Sequence, residues 1–255
     1  MRLPVLRGVF DRRILINYRV SPEVLAPLLP APFRPNVVCG FGWVGICLIR
    51  LKHIRPKFLP SWLGITSENA AHRSAVQWDD RGAVHEGFYI RRRDTNSRFN
   101  ALAGGRLFPG SQHHATFIVQ ETADRLHVAI ESDDDATSMT VSGHVNCRLP
   151  ASSVFGSLEE ASEFSRVGSL GYSPTSDPAR FEGMKLHCHA WRVEPLAIDV
   201  VRSSFFEDES LFPKGSIALD HALLMRGVEH EWHVLTDLCC GATESCSKQA
   251  ECAHC

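Results

Sequence analysis

The run Asn69-Ala70-Ala71-His72-Arg73-Ser74-Ala75-Val76-Gln77-Trp78, the turn Asp79-Asp80-Arg81-Gly82 and the return Ala83-Val84-His85-Glu86-Gly87-Phe88-Tyr89-Ile90-Arg91-Arg92 read together as a β-hairpin. Working outward, the same kind of segment recurs. Residues 14–20 alternate and are rich in β-branched side chains. Residues 43–54 are almost continuously apolar, which predicts a strand buried on both faces. Further extended segments are expected at 114–121, 126–132, 137–148, 185–193, 196–203, 217–225 and 229–235. A long Ser/Pro/Gly-rich loop is expected between the last helix and Gly183.

Helices are few and short. Ser21-Pro22-Glu23 offers an N-cap, a first-turn proline and an acidic residue for a helix ending near Leu29. Asn96 or Ser97 caps a second helix, closed by Gly104-Gly105. Ser157 with Glu160 forms a capping box for a third, ending near Val167-Gly168. So many short strands at close spacing, with few helices, predict a mainly β (α+β) fold, a barrel or a sandwich.

The chain has 255 residues, 44% of them hydrophobic and 22% charged, which is enough apolar side chain for one sizeable core. Its net charge of -2 and its single basic run, Arg91-Arg92-Arg93, argue against a nucleic-acid partner; that run reads as a solvated edge. The N-terminal stretch is broken by Arg7 and Asp11 before a signal-peptide core forms, and the apolar segment 37–49 is too short and glycine-rich to span a membrane. A cytoplasmic protein is therefore expected, with no membrane partner; whether it forms a homo-oligomer is left open by the sequence.

Nine cysteines are unevenly spread. Cys39, Cys47, Cys147 and Cys188 fall in strand-like apolar patterns and read as small buried hydrophobes. Cys239, Cys240, Cys246, Cys252 and Cys255 crowd the C-terminus, so residues 1–237 are read as the folded domain and 238–255 as a cysteine-rich, flexible tail. Soft thiolates at Cys240, Cys246, Cys252 and Cys255 are candidate ligands for zinc or another thiophilic metal; the competing reading is a polar tail of unliganded thiols. No other cofactor is expected.

The stretch that points to chemistry runs from Gly104 to His114. Its glycines allow tight turning, and two adjacent histidines then enter a strand, where neighbours face opposite sides. One imidazole is thus expected inside and one outside, the inner one acting as acid, base or hydrogen-bond anchor, or simply as a satisfied core residue.

Several segments resemble the acetoacetate decarboxylase-like superfamily, and the chain as a whole is similar to its uncharacterised YqjF-like branch. The residues that carry this are Tyr18-Arg19-Val20-Ser21-Pro22-Glu23-Val24-Leu25, Leu28-Leu29-Pro30-Ala31-Pro32-Phe33, Thr66-Ser67-Glu68, Gly87-Phe88-Tyr89 and Asp94-Thr95-Asn96. Gly105-Arg106, Gly110 and His113-His114 fall on the superfamily's Gly-Arg-Glu…Gly…Pro-Lys-Lys motif without a gap, and from Trp191-Arg192-Val193-Glu194-Pro195-Leu196 onward the chain is closer to the YqjF-like branch. The resemblance covers residues 10–235 and implies a β-barrel. It also implies a departure. In the decarboxylases the first lysine of that motif forms a Schiff base, which an imidazole cannot do. His113 and His114 hold both lysine positions here, Leu107 and Gln112 replace the motif's Glu and Pro, and Gly45 stands near an absent acidic position. Lys185 is the one lysine considered as a substitute.

The resemblance leaves Glu68, Arg106 and one of His113 or His114 as pocket-lining candidates, with Arg12, Arg13 or Arg19 adding a cation. Arg with His suits a carboxylate or enolate; alternatively Arg106 and Glu68 form an internal salt bridge. Three functions are therefore expected to compete. The first is binding of a small carboxylate or keto compound without Schiff-base chemistry. The second is an acid/base enzyme of lyase or hydrolase type using His113 or His114 with Glu68. The third is thiol or metal handling by the tail.

Overall fold

The computed structural model describes residues 5–80, 82–105, 109–167 and 169–239. Strands dominate: β1 (Val5–Val20), β2 (Arg34–Pro35), β3 (Gly42–Pro56), β4 (Ile65–Asp80), β5 (Ala83–Thr95), β6 (His113–Glu121), β7 (Arg125–Ser132), β8 (Ser138–Val145), β9 (Leu170–Pro174), β10 (Arg180–Cys188), β11 (Glu194–Ser203), β12 (Ile217–Val234) and β13 (Leu238–Cys239). Three short α-helices accompany them, α1 (Pro22–Leu25), α2 (Arg98–Ala103) and α3 (Leu158–Val167). The mainly β expectation holds. Among the described residues no helix is long and apolar enough to cross a membrane.

The strands form one sheet that closes on itself twice. The order β9-β5-β6-β7-β8-β11-β12-β1-β3-β4 is completed by β5 pairing with β4, and β10 pairs with both β9 and β12. One ring therefore runs β12-β1-β3-β4-β5-β9-β10, and a second runs through β6, β7, β8 and β11 instead. The rings share β12, β1, β3, β4 and β5, the first four of them among the longest strands. This explains why residues 43–54 read as doubly buried. Ile46 and Leu48 face the second ring, whereas Cys47 and Ile49 face the first. The second ring is filled by apolar side chains such as Ile14, Ile16, Val128, Ile130, Met139 and Leu224. The first is filled only at its ends and keeps a cavity between them.

A bulge decides what that cavity contains. Phe10 pairs with Leu51 and Arg12 with Arg50, leaving Asp11 as an extra residue on β1. One extra residue turns the strand's alternation over. Leu6 and Phe10 on one side of the bulge and Arg13 on the other consequently line the same space.

The structure departs from several local expectations. Residues 217–225 and 229–235 are one strand: β12 keeps its register with β1 across Gly227, with Arg226 opposite Arg12 and Val228 opposite Phe10, and Gly227 itself takes φ +64°. The expected loop before Gly183 contains β9 and the start of β10; β9 is held in place by β5 and β10 on either side rather than by its own composition. The body also extends past residue 237, since β13 pairs with β10 at Arg180 and Phe181. Cys47 is buried as expected, but Cys39 and Cys147 are exposed in turns outside the ladders.

Candidate functional site

The first ring holds a half-open cavity of about 380 Å³, within the size range of small-molecule sites. Much of its wall is apolar, including Leu6, Phe10, Ile49, Leu51, Phe88 and Leu186. Set into that wall are four arginines, Arg13, Arg55, Arg73 and Arg93, together with Cys47, Asn69, Asp94 and Asn100. Asn100 comes from α2, whose start is fixed by Ser97 Oγ accepting the Asn100 backbone N–H at 3.2 Å.

The arginines are not equivalent. Arg55 is satisfied by backbone, donating to the carbonyls of Leu59 at 2.9 Å and His53 at 2.8 Å. Arg13 has no carboxylate partner among the described residues. Its Nε donates to Cys47 Sγ at 3.4 Å, and its guanidinium lies over the rings of Phe10 and Trp191. Arg73 also has no described carboxylate partner. It is 5% exposed, stacks over Phe88 at 4.3 Å, and its Nε has no hydrogen-bond partner. Desolvation, reinforced by the Arg13 charge and partly offset by Cys47, lowers the Arg73 pKa to about 10. Arg93 is likewise lowered to about 10 by desolvation, against the opposing pull of Glu182 and Cys47. The cavity is therefore a pocket of insufficiently compensated positive charge.

Arg73 is held from behind. Its Nη2 donates to Asn17 Oδ1 at 2.6 Å, and Asn17 Nδ2 lies 3.0 Å from His221 Nε2. Because the amide nitrogen donates, Nε2 accepts, leaving the Nδ1 proton to point at Asp220 Oδ1, 2.7 Å away. Asp220 is wholly buried; burial pushes its pKa up, but His221, Ser153 Oγ and the Val154 N–H outweigh this and hold it below the ordinary value. His221 thus bridges a carboxylate and an amide, and fixes the guanidinium's orientation through Asn17.

The residues singled out from the sequence are placed elsewhere. Glu68 is not on the cavity wall. It accepts from Arg12 at 2.5 Å and from Arg50 Nε at 2.6 Å, and Arg12 also donates to Glu121 at 2.8 Å, while Arg50 pairs with Glu121 as well. Burial raises the Glu121 pKa, but these two guanidiniums prevail and hold it low. This network ties β1, β3, β4 and β6 together. His113 and His114 are corrections too: neither faces the cavity. Each lies within contact range of the β7–β8 turn, His113 Nδ1 3.1 Å from Asp134 and His114 Nδ1 2.8 Å from Asp133. The reason is topological. β6 meets β5 only at these two residues before turning away with β7 into the second ring. Arg106 lies outside the described residues, as do Cys240, Cys246, Cys252 and Cys255; among the described residues no group of three or more His, Cys, Asp or Glu is placed to hold a metal ion.

Of the three N-terminal arginines considered, only Arg13 reaches the cavity. Arg12 serves Glu68 and Glu121, and Arg19 donates to Asp220 and the Ser152 carbonyl. The basic run is also corrected: Arg91 is exposed, Arg92 pairs with Asp94 and Asp134, and Arg93 turns inward. Arg73 and Asn17 went unnoticed in the sequence. The available signal was Arg73 on the same alternating face of β4 as Asn69 and Ala71.

Known proteins resemble this chain at two levels. The family described as an uncharacterized conserved protein, DUF2071, matches residues 9–229. No curated protein matches at the sequence level. Among solved structures, acetoacetate decarboxylase from Legionella pneumophila superposes with a TM-score of 0.58 at 13% identity, over 92% of this chain and 88% of that one. An acetoacetate decarboxylase-like enzyme from Sphingomonas wittichii gives 0.57 at 10% identity, over 94% of each chain. The enduracididine biosynthesis enzyme MppR in complex with pyruvate gives 0.56 at 9% identity, over 91% of this chain and 89% of that one. At these identities the likeness is one of fold.

Proposed function

The chain belongs to the DUF2071 family on an acetoacetate decarboxylase-like fold, and from that premise we propose that it binds a small carboxylate or keto-type molecule in the arginine-lined cavity without Schiff-base chemistry. The observation that carries this reading is the pair Arg13 and Arg73, two cavity guanidiniums with no described carboxylate partner. A buried cation left without a counterion is costly, and a ligand carboxylate removes that cost with charge-assisted hydrogen bonds. The apolar remainder of the wall suits a short carbon skeleton.

The described lysines support a reading without an imine. Lys52 pairs with Asp11 at 2.8 Å and Lys57 with Glu231 at 3.0 Å. Lys185 stands between Met184 and Leu186, which line the cavity, so strand alternation turns it away. Lys214 is exposed in the turn before β12.

The experiment is a thermal-shift and calorimetric titration with pyruvate, propionate and neutral acetone, on the native chain and on Arg73→Met. Both acids are expected to stabilise the native chain and acetone is not. Removing one member of a buried charged contact costs about 2–5 kcal/mol, so affinity should fall by roughly thirtyfold or more in the variant. Equal responses to acetone and the acids, or an Arg73→Met chain that binds them as before, would refute the reading.

A further inference from the structure

Among the described residues on the cavity wall, Cys47 is the one soft nucleophile. It is 4% exposed, lines the cavity from the shared strand β3, and pairs there with Leu15 on one side and the small Ala71 on the other. The Arg13 Nε–H is directed at the sulfur at 3.4 Å, and Arg73 and Arg93 both lie within electrostatic range of it. The thiol thus lies beside the guanidiniums proposed to hold the carboxylate. The second observation is Arg73 itself, whose buried Nε lacks a partner on the same wall and so points to an anionic group beside the sulfur.

We propose that Cys47 adds reversibly to the carbonyl carbon of a 2-oxo acid whose carboxylate rests on Arg13 and Arg73. This inference rests on the carboxylate reading above. In the step, the sulfur lone pair forms the C–S bond, the carbonyl π pair moves onto oxygen, and that oxygen takes up the proton the thiol gives up. The product is a thiohemiketal, formed without oxidant, reductant or leaving group. The thiol thereby captures a carbonyl where no described lysine can reach it, and Arg73 serves as the positioning residue, aligned through Asn17 and His221.

The test uses the full chain and pyruvate isotopically labelled at its keto carbon, followed by carbon NMR, with propionate as a ligand that has a carboxylate but no carbonyl. The native chain is expected to show a protein-broadened tetrahedral-carbon signal distinct from free pyruvate hydrate. It should also prefer pyruvate over propionate by about tenfold or more. In Cys47→Ala the signal should vanish and that preference collapse to about one. Propionate binding without any tetrahedral signal, or a signal surviving in Cys47→Ala, overturns the inference and leaves the carboxylate reading standing. A borohydride-stable pyruvate adduct on a lysine overturns it as well, because a thiohemiketal is not locked by reduction. Failure of both acids to bind removes the carboxylate reading and this inference together.

Discussion

Arg73 and His72 are chain neighbours that face opposite rings, and each carries a distinct cost of burial. Arg73 has no described counter-carboxylate in the unliganded cavity, so Arg73→Met is expected to leave the thermal midpoint unchanged or to raise it, while abolishing stabilisation by carboxylates. Differential scanning calorimetry with and without pyruvate reads both effects. His72 packs against Phe205 and Phe206 in the second ring, and burial with help from the Arg92 and Arg91 charges lowers its pKa to about 4. The unfolded value is near 6.5, so the folded state binds this proton less well. The stability contribution is therefore fully present above pH 6.5 and is lost as the pH falls to about 4, up to roughly 3 kcal/mol. Urea midpoints at pH 7 and pH 4.5 are expected to lie closer together in His72→Leu than in the native chain. An unchanged gap would remove His72 from the account. Neither role could be read from the sequence, where both residues are polar positions in a strand of mixed polarity; only the closure of two rings on either side of β4 gives each its surroundings.

At the scale of elements, close approach and capping set the tolerances. A Cβ on Gly45 would lie 2.3 Å from the Ile16 carbonyl oxygen, so β1 and β3 can pair there only because residue 45 has no side chain. Gly45→Ala is expected to destabilise the chain by about 2–3 kcal/mol in denaturant titration, since the obstructing atom is backbone. Ser97→Ala should cost about 1 kcal/mol and weaken pyruvate binding slightly, because α2 delivers Phe99 and Asn100 to the cavity. The caps of α2 and α3 were legible because capping is local chemistry. At α3 the Ser157 Oγ accepts the Glu160 N–H as expected, although the Glu160 carboxylate reaches back to the Gly156 N–H instead of that of Ser157. β9 was not legible, since Leu170-Gly171-Tyr172-Ser173-Pro174 has little strand preference of its own and is extended because β5 and β10 flank it.

Across the whole molecule, the two rings share five strands and so cannot melt independently. Far-UV and near-UV signals are expected to report one coincident unfolding transition. The Glu68 network joins strands of both rings, and Glu68→Gln should lower stability by about 2–3 kcal/mol while leaving the pyruvate response intact, which separates a structural Glu68 from a catalytic one. What the sequence determined by itself was the strand-rich class, most strand positions and the caps of α2 and α3, because each depends on residues close together in the chain. Which side chains face the cavity was decided only in three dimensions. The bulge at Asp11 reverses the facing of β1, and β6 leaves for the second ring right after His113 and His114. Facing along a strand has a period of two residues, so a single extra residue, or a change of neighbouring strand, exchanges inside for outside without altering the local pattern.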